Sequence, residues 1–123
     1  MQNLAQIRAK NAFAAAPSIG KGRGDGKSVA KKVPAQIVQN GLLGALAFAI
    51  ETGAGYLDVF SAVCTHFRSP ELASLGVAAA DPQALFDILC CASSDTLRAA
   101  TAETMEYLNY LRRFARGDKD PNA

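Results

Sequence analysis

The side chains with the chemistry to hold a soft metal are Cys64, His66, Cys90 and Cys91, and the stretch Gly20-Lys21-Gly22-Arg23-Gly24-Asp25-Gly26-Lys27-Ser28 has the composition of a phosphate cradle. Neither pattern is complete. A zinc site needs four ligands aimed at one centre, and Cys64 and His66, two residues apart, leave a helix on nearly opposite sides. The three cysteines therefore read as small buried or half-buried hydrophobes, and His66 as a surface residue near a helix end. A phosphate-binding loop needs glycine at the position Lys21 occupies and a strand ahead of it, whereas this flank is alanine-rich helix. A lone histidine supports no serine or cysteine triad. Glu103 and Glu106 share a helix face at three-residue spacing, which a solvated face explains better than a catalytic acid pair does. The chain thus presents no catalytic residue, no metal site and no cofactor site, and the expectation is that it is not an enzyme.

The chemistry that remains is ionic. Residues 1–50 carry seven cations (Arg8, Lys10, Lys21, Arg23, Lys27, Lys31, Lys32) against Asp25 alone, a net of +6; residues 51–123 carry six cations and ten acids, a net of −4. A basic half suits a polyanion and an acidic half suits protein neighbours. Between Lys31 and Phe48 the doubled lysine runs into an apolar helical pattern in which Val33, Ile37, Leu42, Leu46 and Ile50 form a stripe. Gln36, Gln39 and Asn40 lie off that stripe. Gly41 and Gly44 each cost a helix about 1 kcal/mol relative to alanine, so they mark a close approach of backbone or ligand.

The elements that must position these groups read as helices throughout. Leu4, Ile7 and Phe13 are the large apolar groups of a first helix ended by Pro17. A second helix runs to about Glu51, with Pro34 at its first turn or at a kink. Tyr56 to Phe67 follows three- and four-residue spacing. Ser69-Pro70 and Asp81-Pro82 are cap-then-proline starts, and the Ser93-Ser94-Asp95 cluster opens a last helix with Leu97, Thr101, Thr104, Leu108, Leu111 and Ala115 on one face. No stretch alternates as a strand does. The predicted fold is all-α, a single small bundle of five to six helices forming one domain over residues 1–123, with a flexible basic glycine loop at 17–28 and a frayed tail at 118–123. An odd cysteine count with a vicinal pair points to a reducing, cytoplasmic setting. The first sixteen residues do not read as an export signal, and the strongly apolar run from Gly41 to Ile50 is about half a bilayer span, so no membrane insertion is expected.

Three blocks resemble a known family: Gln6-Ile7-Arg8-Ala9 near the start, Lys32-Val-Pro34-Ala-x-Ile37-x-x-Asn40-Gly41-Leu42-x-x-Ala45-Leu46-Ala-Phe48 in the middle, and Ala-x-Glu103-x-Met-x-Tyr-Leu108-Asn-Tyr-Leu-Arg112-Arg113-Phe114-Ala at the end. Together they look like the small helical subunit of the Cmr (type III-B CRISPR) RNA-targeting effector complex. The resemblance implies a non-catalytic subunit of an antiviral ribonucleoprotein, stacked head-to-tail in several copies along guide RNA and target RNA beside the backbone and large subunits. On that implication Arg8, Lys10, Lys31, Lys32, Arg112 and Arg113 contact RNA phosphate, and Lys21, Arg23 and Lys27 close over the strand. Gln39 and Asn40 hydrogen-bond ribose or a partner's backbone, or else bridge helices internally. The charge pattern by itself also fits a stand-alone helical nucleic-acid-binding protein, and the helices a protein-protein adaptor.

Overall fold

The computed structural model describes residues 3–19 and 26–115, with backbone only at positions 26 and 27. Five α-helices follow in chain order: α1 (Leu4–Ala15), α2 (Gly26–Thr52), α3 (Ala54–Phe67), α4 (Pro82–Cys91) and α5 (Ser94–Phe114), with 3-10 turns at Ala16–Ser18 and Pro70–Leu75. Among the described residues there is no strand, and the fold is all-α. Local chemistry accounts for the helix starts. Asn3 and Gln6 form a reciprocal capping box on α1, with the Gln6 amide donating to Asn3 Oδ1 at 2.9 Å and the Asn3 amide to Gln6 Oε1 at 2.8 Å. Asp81 accepts from the Ala84 amide with Pro82 in the first turn of α4, and Ser93 accepts from the Thr96 amide at the start of α5. Of the basic connector expected at 17–28, residues 20–25 lie outside the described residues. At its edges Ile19 is buried and residues 26–28 already belong to α2. The tail at 118–123 also lies outside.

The organising feature of the bundle is a corner inside α2. Pro34 sits within the helix without ending it, and the break falls at Gly41, where φ is 78° and ψ is 166°. That combination is open to glycine and strained for every L-residue. A straight helix would carry Val29 about 35 Å along its axis from Thr52. Instead a Cβ placed on Gly55, three residues past Thr52, would stand 3.1 Å from Val29 Cγ2. The two arms, 26–40 and 42–52, are therefore folded back on each other. Ser28–Thr52 is long and apolar enough, by length and composition, to cross a membrane. The corner at Gly41 divides it into arms of about 20 Å and 16 Å, each shorter than the roughly 30 Å hydrocarbon layer. Gly44 has a different cause from Gly41: a Cβ there would lie 2.9 Å from Asn40 Cβ, so the corner itself imposes the close approach.

One hydrophobic cluster draws on every helix, with Phe60, Phe67, Leu46, Leu85, Leu89, Leu108 and Leu111 among its fully buried members. α1 contributes chiefly small groups, burying Ile7 and Ala12 and leaving Phe13 exposed. Three expectations are corrected. His66 is fully buried rather than at the surface, because Asn11 of α1 and Glu103 and Tyr107 of α5 close over its ring at the end of α3. Glu103 is buried while Glu106 is exposed, since α1 covers one flank of α5 beyond the apolar stripe. Cys90 and Cys91 are exposed, whereas Cys64 is buried as expected. α4 faces the core with Pro82, Leu85 and Leu89, and the next two positions rotate about 100° and 200° away from Leu89.

Candidate nucleic-acid interface

The buried Glu103 and His66 belong to a polar clasp that ties α1, α3 and α5 together. Arg8 grips the Glu103 carboxylate with two nitrogens, Nε donating to Oε2 at 2.8 Å and Nη2 to Oε1 at 2.7 Å. His66 Nε2 donates to Glu103 Oε2 at 2.9 Å, and the Asn11 amide donates to His66 Nδ1 at 2.9 Å and to Ser69 Oγ at 2.8 Å. With Nδ1 accepting and Nε2 donating, the imidazole is neutral. Its ring stacks on Tyr107, centroids 4.3 Å apart and planes 13° apart.

Each titration shift in the clasp follows from this geometry. Burial lowers the His66 pKa against the pull of Glu103, which keeps the ring neutral. Burial alone would raise Glu103, but the hydrogen bonds from Arg8 and His66 prevail and hold the carboxyl below its usual range. The Glu103 contact raises Arg8 further. Both carboxylate oxygens of Glu103 and both ring nitrogens of His66 have partners within the clasp. The pattern is that of a structural clasp.

The cations expected to face RNA are distributed unevenly. α1 and α5 pack side by side, so Arg8 and Lys10 stand on one helix of the pair and Arg112 and Arg113 on the other. Arg8 is half-buried, with Nη1 as its nitrogen outside the Glu103 contact; Lys10 and Arg113 are exposed and Arg112 half-buried. Lys31 and Lys32 are exposed on the first arm of α2, beside Val29 and Ala30, which face inward. Among the described residues no acid pairs with Lys10, Lys31 or Lys32. Gln39 and Asn40 are exposed at the corner of α2, and Asn40 shares a hollow with Leu97 and Arg98, near the start of α5. From Arg98 to Arg113 the helix rises about 22 Å, so Asn40 is not brought to the Arg112-Arg113 end. Lys21 and Arg23 lie outside the described residues, as does the Lys27 side chain.

Sequence reasoning missed the clasp, assigning His66 and Glu103 to the surface and Arg8 to phosphate alone. Its contacts join residues 95, 55 and 37 positions apart, so no local spacing signals them.

With this geometry in place, comparison with protein families matches residues 4–118 to the family described as CRISPR-associated protein (Cas_Cmr5). No curated protein matches the chain, and no solved structure does.

Proposed function

The chain belongs to the Cas_Cmr5 family of CRISPR-associated proteins, and from that membership we propose that it is the non-catalytic small subunit of a type III-B (Cmr) effector ribonucleoprotein. In this reading the chain acts as one domain in the cytoplasm. Several copies stack head-to-tail along guide RNA and target RNA, beside the backbone and large subunits. The observation that carries the reading is the near full-length family match. Two structural facts support it. The buried acid and histidine satisfy each other within a clasp, which supports a role without turnover, and lysines at positions 10, 31 and 32 are solvent-facing with no acid on them among the described residues.

Phosphate contact falls to Lys10, Lys31, Lys32, Arg112 and Arg113, with Lys21, Arg23 and Lys27 closing over the strand and Arg8 reaching it only through Nη1. Gln39 and Asn40, at the exposed corner, meet ribose or a neighbouring subunit. A protomer touching three or four phosphates of a single strand has a salt-dependence slope of about −2 to −3, so one copy binds weakly and stacking supplies the rest. An open head-to-tail contact extends into a filament, so the isolated chain is a monomer or a weak self-associate.

The test is affinity purification from the native host with mass spectrometry and sequencing of the RNA that accompanies it. Short guide RNAs together with larger effector subunits are expected, and recovery of neither refutes the proposal. Tight binding to any nucleic acid without partners would mark a stand-alone binding protein. Partner recovery untouched by RNase and by Lys31→Glu with Lys32→Glu would mark an adaptor.

A further inference from the structure

The seam between α1 and α5 carries exposed aromatic surface. Phe13 is 68 % exposed, yet its ring is held edge-on against Phe114, centroids 5.4 Å apart and planes at 89°. Tyr110 and Phe114, one helical turn apart and half-buried, line an open hollow of about 490 Å³ together with Glu106, Asn109 and Arg113. That volume lies within the range of small-molecule sites and is ample for one nucleobase.

The charges around it are those a nucleotide requires. Arg113 Nε donates to the Asn109 carbonyl at 3.1 Å, which steadies the guanidinium and leaves its terminal nitrogens for phosphate. Lys10, three residues before Phe13, shares that side of α1. Arg8 lies within electrostatic reach of Glu106 and Tyr110. On the rim, Glu106 and Asn109 offer an acceptor and an amide to the edge of a base. Aromatic surface and cations thus coincide at the α1–α5 seam.

We propose that this seam is a stacking site for one unpaired base of single-stranded RNA, with Phe13, Tyr110 and Phe114 supplying ring surface and Lys10 and Arg113 taking the flanking phosphates. The site rests on the RNA-binding reading above and adds to it a contact that is not ionic. Every base has a π-face, so stacking here tolerates any sequence and leaves specificity to base pairing.

The test uses the full chain and a short single-stranded RNA carrying one 2-aminopurine, read by fluorescence quenching for stacking and by anisotropy for binding. The wild type is expected to quench the probe. Phe13→Ala, a substitution at an exposed position, is expected to lose the quenching and weaken binding about 5- to 150-fold, while Phe13→Trp retains both. If Phe13→Ala and Tyr110→Ala both quench and bind as the wild type does, the stacking site is refuted; sensitivity to Lys31→Glu with Lys32→Glu would then leave the RNA role standing. If Phe13→Ala abolishes recovery of other subunits with RNA affinity unchanged, the seam is a protein contact and the proposal also falls. Absence of any binding at low salt and saturating protein overturns this site and the RNA role of the isolated chain together.

Discussion

Gly41→Ala decides whether α2 is a helix with a weak point or two arms joined at an obligatory corner, because the two cases differ in sign. In a continuous helix the substitution would stabilise by about 1 kcal/mol, since alanine is the better helix former. At φ 78° and ψ 166° an alanine instead carries backbone strain of about 1–3 kcal/mol. No neighbouring atom lies within 4 Å of the new Cβ, so the penalty is purely conformational. Straightening the helix offers no escape: it would unpack Val29, Val33 and Ile37, each contributing about 2 kcal/mol of burial, more than the strain it relieves. The bend should therefore persist. With an unfolding entropy of about 2.1 cal/mol/K per residue, each kcal/mol corresponds to about 4 °C in a chain of this length. Thermal unfolding followed by circular dichroism should show Tm lowered by about 4–12 °C. A chemically synthesised chain with D-alanine at 41 should match or exceed the wild type, because the mirrored angles fall in the extended region natural to it. A Tm that rises with L-alanine would refute the corner as described.

Gly55→Ala should destabilise by about 1–3 kcal/mol, since its Cβ would press on the buried, β-branched Val29; adding Val29→Ala should yield less than the sum of the two single losses, measured by denaturant titration. Glu103→Ala should cost about 3–5 kcal/mol by leaving Arg8 and His66 without their shared partner. Stability should fall as pH drops below about 6.5, where the unfolded chain protonates its histidine while the folded chain, with His66 lowered, does not; Glu103, also lowered, adds a second loss below about 4.5. Replacing His66 with glutamine should remove the upper part of that slope in urea titrations at stepped pH. Thiol titration of the native protein should count two reactive cysteines, Cys90 and Cys91, and a third only after unfolding, because burial pushes the Cys64 thiol up to about 11.

Much of the bundle was legible before the structure because its signals are local. Capping at Asp81 and Ser93 and the short turn after Ser69-Pro70 depend on neighbours within a few residues, and each lies where the sequence places it. The α2 glycines were legible as exceptions but not as causes: Gly41 sets a backbone angle, while Gly44 makes room for Asn40 once that angle is set. Apolar periodicity found the core face of α5 from Leu97 to Ala115 but not the flank where Tyr107 and Glu103 meet His66.

Residue types and spacing alone determined that this chain folds as helices, where most of them begin, and which family it belongs to, because caps, prolines and three-to-four periodicity act over a single turn. Only the tertiary structure decided that α2 doubles back and that Arg8, His66 and Glu103 form one buried clasp. It also decided that the aromatic rings of the first and last helices share a seam. Those outcomes depend on which helix lies against which, and burial, ion pairing and ring contact are set by neighbours brought from distant parts of the chain.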